Sequence, residues 1–253
     1  MSSIFDISGK KAIVTGGAQG LGNGMAEGLM KEGVEVVLFD INPKVEAVAE
    51  DFCKAGYKCH AVVVNLGDAE DRERAFNKAL EQLGGRLDIL VTAAGVQRRH
   101  KSEEFPIEDW NFVININLTA VFAMDQLAAR VMLKQGSGKI INIASMLSYF
   151  GGYTVPAYAA SKGGVAQITK AFANEWASQG VNVNAIAPGY MATEMNTALI
   201  NDETRNTEIL ARIPAKRWGT PQDVAGVACF LASPASDYLH GAIIPCDGGY
   251  LSR

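Results

Sequence analysis

The 253-residue sequence has few of the residues that build metal centres. It contains three histidines and four cysteines, and no two cysteines form a Cys-x-x-Cys pair. Neither set has the spacing of zinc or iron–sulfur ligands, so we expect no metal site. Four cysteines could pair in disulfides, but a chain of this length builds a large core without them. Reduced thiols are therefore the expectation.

The sequence also lacks the features that direct a chain into or across a membrane. Its first residues, 1–6, have no basic segment followed by an apolar stretch, so no signal peptide is evident. No segment approaches the apolar length that a bilayer span requires. We expect a cytoplasmic protein without a membrane partner.

An excess of basic charge is missing as well. The chain has 23 basic and 27 acidic side chains, for a net charge of −4. Its one basic cluster, residues 98–101, is followed at once by Glu103 and Glu104. This pattern argues against a nucleic-acid surface, whereas a small anionic substrate remains compatible.

Short apolar runs rich in β-branched residues alternate with longer stretches of helical spacing. The predicted strands are 11–15, 35–40, 60–65, 88–92, 139–144, 181–187 and 242–246, and the helical stretches include 22–31, 69–83, 107–134, 156–178 and 221–232. This alternation predicts an α/β fold with a doubly wound parallel sheet of about seven strands and helices on both faces. No linker divides the chain, so we expect a single domain over 1–253. Dinucleotide binding is expected mainly in 10–115, and catalysis and substrate binding mainly in 116–253.

A glycine-rich turn, residues 15–22 (TGGAQGLG), follows the first predicted strand and opens the first helix. Glycines let backbone N–H groups approach a pyrophosphate at the positive end of a helix. Asp40 ends the second strand about twenty residues later, where a carboxylate accepts from ribose hydroxyls. A carboxylate repels a 2′-phosphate, and neither Gln19 nor Ile41 is basic, so NAD is predicted rather than NADP. The alternative for Asp40 is a solvated strand end or a helix cap.

Tyr158 and Lys162 lie one turn apart on a predicted helix, with Ser145 shortly before them. Such residues share a helix face. A phenol has an ordinary pKa of about 10, and a neighbouring ammonium is expected to favour the phenolate. The Ser145 hydroxyl would hold a carbonyl or alcohol oxygen. The set therefore predicts acid–base chemistry at that oxygen, although each side chain alone also suits a structural role.

Together these features resemble the short-chain dehydrogenase/reductase family over essentially the whole chain. The matching positions are the glycine turn, Asn117, Ser145, Tyr158, Lys162 and Pro188-Gly189. The resemblance implies a Rossmann fold, an enzyme acting on CH–OH groups, and a homotetramer built on the helical stretches 107–134 and 156–178 and the C-terminal tail.

The resemblance also implies roles for the site residues. Tyr158 would be the general acid/base, and Lys162 would lower the pKa of Tyr158 and bind the nicotinamide ribose. Ser145 would orient the reacting oxygen, and Asn117 would hold a water that links Lys162 to solvent. The predicted cofactor-binding residues are Gly16, Gln19, Gly20, Leu21, Gly22, Asp40, Asn65, Leu66, Ala94, Gly95, Tyr158, Lys162, Pro188, Gly189, Met191 and Thr193.

Two positions depart from the family pattern. Thr92 and Ala93 stand where two asparagines are usual, which leaves open how the central strand is braced. Asn65 stands where an aspartate is usual, although its carbonyl can still accept from an adenine amino group. We expect altered cofactor affinity rather than lost chemistry.

The loops resemble the family's sugar-acid dehydrogenases, in residues 140–152, 184–193 and 213–219 and in Arg98-Arg99. This implies hydride transfer between nicotinamide and a sugar acid such as 2-dehydro-3-deoxy-D-gluconate or 2-deoxy-D-gluconate. The predicted substrate contacts are Arg98 or Arg99, as a grip on the carboxylate, with Ser145, Tyr153 and Tyr158; Met191 and Trp218 are candidate pocket walls. The alternative for the arginine pair is a solvated loop.

Three other functions stay open. A gluconate 5-dehydrogenase would share the chemistry. A 3-oxoacyl-carrier-protein reductase should prefer NADPH, against which Asp40 argues. A non-catalytic NAD-binding sensor would predict damage to Ser145, Tyr158 or Lys162, all of which are present.

Overall fold

A seven-stranded parallel sheet forms the centre of the computed structural model, which describes residues 3–252 apart from the side chain of Met195. The strands are β1 (Lys11–Thr15), β2 (Glu35–Asp40), β3 (Cys59–Val63), β4 (Ile89–Thr92), β5 (Gly138–Ile143), β6 (Val181–Pro188) and β7 (Ile243–Cys246). Their order across the sheet is β3-β2-β1-β4-β5-β6-β7, and every pairing is parallel. The predicted single-domain, doubly wound α/β fold is confirmed.

Helices cover both faces of the sheet. Over residues 3–252 they are α1 (Gly20–Lys31), α2 (Lys44–Lys54), α3 (Ala69–Gln82), α4 (Ile107–Ile114), α5 (Ala120–Gln135), α6 (Pro156–Trp176), α7 (Thr197–Asn201), α8 (Glu203–Arg212) and α9 (Pro221–Ala232). Side chains of α1, α2 and α9 share one core cluster, and those of α3, α5 and α6 share another on the opposite face. Because both faces are covered, the central strands are apolar at nearly every position.

The predicted helix over 107–134 is not a regular α-helix throughout. A π-helical segment, Asn115–Thr119, separates α4 from α5, and Asn117 within it is fully buried. The whole run Ile107–Gln135 has the length and apolar composition of a membrane span, alone among the described residues. This corrects the expectation that no segment approaches that length. In the fold the run packs along β4, β5 and α6, as a core helix does.

The topology directs the ligand site to the carboxyl ends of β1 and β4. The chain leaves β1 toward one side of the sheet and β4 toward the other, and such a crossing point leaves a crevice between the two connections. The two strand ends are tied together where Thr15 Oγ1 accepts a hydrogen bond from the Ala94 N–H at 3.0 Å.

Candidate active site

A cleft of about 500 Å³ opens at the carboxyl ends of strands β1 to β6. All of the predicted cofactor residues line it: Gly16, Gln19, Gly20, Leu21, Gly22, Asp40, Asn65, Leu66, Ala94, Gly95, Tyr158, Lys162, Pro188, Gly189, Met191 and Thr193. Ser145 lines it as well. Residues from both 10–115 and 116–253 therefore meet in one cleft.

The glycine turn supplies a cradle that side chains would fill. Gly16 has φ +70°, and a β-carbon built on it would lie 2.9 Å from the Ala94 nitrogen. A β-carbon on Gly22 would collide with the Gly16 carbonyl oxygen. The first turn of α1 itself contains no acidic residue, and the partial positive charge of its N–H groups faces the cleft. These features fit a dinucleotide pyrophosphate.

Asp40 is held rigidly at the end of β2. Its Oδ2 accepts from the Ala18 N–H at 3.0 Å, and its Oδ1 accepts from the Asn42 N–H at 2.9 Å. The half-buried carboxylate faces the cleft and retains lone pairs for further donors. This arrangement suits ribose hydroxyls.

The positions that depart from the family pattern, Asn65 and Thr92-Ala93, lie at or next to the cleft. Asn65 lines the cleft, and its Oδ1 accepts from the Gly67 N–H at 3.0 Å. Thr92 faces away from the cleft and donates to Asn142 Oδ1 at 2.6 Å, so a hydroxyl braces β4 against β5. Ala93 lines the cleft.

Tyr158 and Lys162 project from the first turns of α6 into the cleft beside Ser145. Lys162 Nζ lies 5.7 Å from the centroid of the Tyr158 ring and donates to the Ile143 carbonyl at 2.6 Å. Burial lowers the pKa of Lys162 to about 8. Burial also raises the pKa of Tyr158, and the Ser145 hydrogen bond opposes that shift.

Two influences act on the Tyr158 phenol in opposite directions. Loss of solvent around the phenol raises its pKa in the fold, whereas a neighbouring ammonium favours the phenolate. The Lys162 ammonium donates to a backbone carbonyl. The lowering of the Tyr158 pKa by Lys162 together with the nicotinamide ring stays a prediction.

Asn117 is committed to the loop after β4. Its Oδ1 accepts from the Val96 N–H at 2.8 Å, and its Nδ2 donates to the Val96 carbonyl at 2.9 Å and to Ser161 Oγ at 3.3 Å. It does not line the cleft. The amide thus clamps the cleft wall, and its predicted role in holding a water stays a prediction.

The predicted substrate residues outside the catalytic set do not line the cleft. Arg98 pairs with Asp109, with Nε 3.3 Å from Oδ1, and its guanidinium lies 4.6 Å from the Phe112 ring centroid. Arg99 is exposed, and Tyr153 is 95% exposed. Trp218 packs against Tyr190 rather than forming the cleft wall. Substrate contacts from Arg98, Arg99 and Tyr153 stay a prediction.

Sequence reasoning missed several wall residues. Val96, Phe112 and Ile116 form an apolar side, which their apolar surroundings in sequence did not single out. Glu194 and Asn196 extend the wall beyond Thr193. A β-carbon built on Gly20 would lie 3.6 Å from Glu194 Oε2, so this carboxylate stands beside the glycine turn. Glu194 and Asn196 follow the predicted cofactor residue Thr193 by one and three positions, and this closeness could have identified them from the sequence.

The fold and the site agree with the family comparisons. Residues 16–251 match the family model described as "Enoyl-(Acyl carrier protein) reductase". The chain belongs to the short-chain dehydrogenase/reductase family.

Within the family, the chain is similar to sugar-acid dehydrogenases. It is 48% identical to the 2-dehydro-3-deoxy-D-gluconate 5-dehydrogenase of Dickeya dadantii, covering 98% of both chains. It is 47% identical to the Escherichia coli K12 protein of the same name, covering 99% of both. A crystal structure of a candidate 2-deoxy-D-gluconate 3-dehydrogenase from Agrobacterium tumefaciens, with bound NADP, superposes with a TM-score of 0.93 at 46% identity and 100% coverage of both chains.

Proposed function

We propose that the protein is an NAD-dependent sugar-acid dehydrogenase, acting as a 2-dehydro-3-deoxy-D-gluconate 5-dehydrogenase or 2-deoxy-D-gluconate 3-dehydrogenase. The observation that carries the proposal is that Ser145, Tyr158 and Lys162 line the same cleft as the glycine turn and Asp40. A dinucleotide site and an acid–base set in one cleft are what hydride transfer at a CH–OH carbon requires. The relatives' names support the substrate class.

The glycine turn would hold the pyrophosphate, Asp40 the adenosine ribose, and residues 188–193 the nicotinamide side. When bound, the nicotinamide supplies the hydride acceptor or donor. In reduction the Tyr158 phenol would donate its proton to the ketone oxygen. In oxidation its phenolate would accept the hydroxyl proton, after its own proton has passed to solvent. Ser145 orients that oxygen. Lys162 keeps positive charge near the phenol below its pKa of about 8.

The proposed preference for NAD rests on Asp40. Its carboxylate is fixed by two backbone N–H groups at the end of β2. A 2′-phosphate at that ribose would meet a negative charge without a basic residue at Gln19 or Ile41 to offset it. The bound NADP of the Agrobacterium tumefaciens structure makes NADP the comparison that any assay must include.

The proposed carboxylate grip remains the Arg98-Arg99 pair. Arg98 stacks on Phe112, which does line the cleft, so the guanidinium is one side chain away from the wall. The backbone N–H of His100 donates to the Thr154 carbonyl at 3.1 Å, which ties residues 98–100 to the loop that precedes α6. The segment thus borders the catalytic end of the cleft. We also infer a cytoplasmic homotetramer; four free thiols suit a reducing compartment.

The test is a substrate panel with purified protein. NADH formation and consumption would be followed with 2-dehydro-3-deoxygluconate, 2-deoxygluconate, gluconate, their keto forms and an acyl thioester, with NADP(H) in parallel. We expect the deoxygluconates to give the highest kcat/KM with NAD. Good turnover of gluconate or of the thioester, with none of the deoxygluconates, would refute the substrate assignment.

Cofactor choice has its own variants. Asp40→Ala should raise the KM for NAD and narrow the gap to NADP, since it removes both the ribose acceptor and the repelling charge. Asp51→Ala, an exposed carboxylate on α2, is the matched control and should change neither value. An unchanged NAD/NADP ratio in Asp40→Ala would discard the ribose assignment.

A further inference from the structure

Four buried polar side chains meet between the catalytic ends of β4 and β5 and the helices α5 and α6. We call Thr92, Asp125, Asn142 and Thr169 the Asn142 cluster; each is at most 2% exposed. Thr92 and Asn142 are register partners on the adjacent strands. Asn142 Nδ2 donates to Asp125 Oδ2 at 2.9 Å and to Thr169 Oγ1 at 3.1 Å.

Every hydrogen-bonding group of the Asn142 side chain has a partner. Its carbonyl oxygen accepts from Thr92, and its two N–H groups go to Asp125 and Thr169. The Thr169 hydroxyl in turn donates to the Val165 carbonyl. Asp125 is the exception, because its Oδ1 has no partner within the described structure.

Burial without an ion pair favours the neutral form of the Asp125 carboxyl. Burial raises its pKa well above the ordinary value, and only the hydrogen bond from Asn142 acts in the opposite direction. No ion pair in the described structure involves it. A neutral carboxyl keeps Oδ2 available to accept from Asn142 without a buried unpaired charge.

The cluster stands directly behind the catalytic residues. Thr92 is the last residue of β4 and is followed by Ala93, Ala94 and Gly95 of the cleft wall. Asn142 precedes Ile143, whose carbonyl accepts from Lys162 Nζ, and Ser145 follows shortly after. Asn142 therefore links, through its hydrogen bond with Thr92, the two strand ends that face the cleft.

We propose that Asp125 is a positioning residue that acts through Asn142 to hold the ends of β4 and β5 in catalytic alignment. The Asp125 carboxyl fixes the Asn142 amide, the amide fixes Thr92, and the two strand ends carry the cofactor wall and Ser145. The inference rests on the proposed hydride-transfer function of the cleft, but not on the identity of the sugar acid.

The test compares Asp125→Leu, Asp125→Asn, Thr92→Val and the double variant Thr92→Val/Asp125→Leu. Turnover would be measured with whichever panel substrate is best, and NADH binding by fluorescence, which needs no substrate. Asp125→Leu should lower kcat by about tenfold or more, since small misplacements of catalytic groups carry large rate costs. It should also weaken NADH binding, because Ala93–Gly95 line the cleft. Asp125→Asn, neutral and of the same shape, should restore both values to within about threefold of the wild type.

The readouts separate positioning from mere stability. Thr92→Val is the milder change should Asp125→Leu fail to fold, and the double variant should lose less than the product of the single losses because both act through Asn142. A lowered melting temperature with unchanged kcat and NADH binding would overturn the proposal. So would an Asp125→Asn variant as impaired as Asp125→Leu. A wild type that binds NADH but turns over no substrate would instead refute the proposed function, and the NADH-binding comparison would still decide the positioning role.

Discussion

At the scale of single residues, the site depends on side-chain directions that spacing does not give. Helical periodicity correctly brings Tyr158 and Lys162 to one face, and the glycine turn predicts a ligand cradle. Burial raises the pKa of Tyr158, and this burial by residues distant in sequence could not be predicted from the spacing of Tyr158 and Lys162. Contacts of exposed loop residues, such as that of Arg98 with Asp109, could not be predicted from the sequence either.

The role of Tyr158 is tested by removing its hydroxyl. Tyr158→Phe keeps the ring but cannot exchange a proton, so kcat should fall by about a hundredfold or more. NADH binding, followed by fluorescence titration, should stay within a few-fold of the wild type. Tyr238→Phe is the matched control, because that ring is 99% exposed and does not line the cleft, and it should keep full activity. Substantial turnover by Tyr158→Phe would contradict the assignment.

Glu194 is predicted to weaken cofactor binding. Its carboxylate stands beside Gly20 of the turn that would hold the pyrophosphate, so two like charges would approach each other. Glu194→Gln should tighten NADH binding by roughly fivefold at low ionic strength, with a smaller gain at high salt because screening already weakens the repulsion. Glu203→Gln on α8 serves as the control. An unchanged or weaker affinity in Glu194→Gln would show that the carboxylate leaves the turn or assists binding.

At the scale of elements, the strands were the easiest part to predict. Predicted bounds 11–15 and 35–40 coincide with β1 and β2, because a strand covered on both faces is a continuous apolar run between polar ends. Helix α2 was not among the predicted stretches, since only Val45 and Ala49 of its residues are buried. The π-helical segment 115–119 was missed because it accompanies a contact between Asn117 and Val96 on a separate loop.

Helix α9 offers a prediction about stability. Asp223 accepts from the Thr220 N–H and hydroxyl in a capping box, and Arg217 donates to both of its oxygens at 2.7 Å. The Arg217 hydrogen bonds, followed by that from the Thr220 N–H, hold the pKa of Asp223 well below its ordinary value. Asp223→Asn should therefore lower the free energy of unfolding by about 1 kcal/mol near pH 7, a modest figure because solvent screens the ion pair.

The pH dependence follows from the sign of that shift. A carboxylate with a lowered folded pKa stabilises the fold above its unfolded pKa of about 3.9, and the contribution is lost as the pH falls through the folded pKa. Urea denaturation should thus show the difference between wild type and Asp223→Asn shrinking as the pH is lowered from 7 to 3. Asp51→Asn, in an exposed pair with Lys54, should be nearly neutral at both values. A difference that does not change with pH would rule out the charge as its cause.

At the scale of the whole molecule, the helical run Ile107–Gln135 is more apolar than one chain needs. Less than half of its most apolar window is buried, and Phe112 and Phe122 remain 39% and 42% exposed. Its two buried polar side chains, Asn117 and Asp125, form hydrogen bonds with Val96 and Asn142 of the same chain. Such contacts suit a helix of the protein core rather than one surrounded by lipid. An outer face of this kind fits the same face of a second copy of the chain.

Such a contact joins two copies, and we predict that it forms one interface of the homotetramer that the family resemblance implies. Sedimentation equilibrium of the wild type should give the mass of four chains, and Phe122→Glu should give smaller species, because a charge on a buried interface carries a large desolvation cost. Phe5→Glu places the same charge on an exposed phenylalanine outside the run and should leave the assembly intact. A monomeric wild type, or one that floats with phospholipid vesicles, would contradict the prediction. An unchanged tetramer in Phe122→Glu would assign the contact to α6 or the C-terminal tail instead.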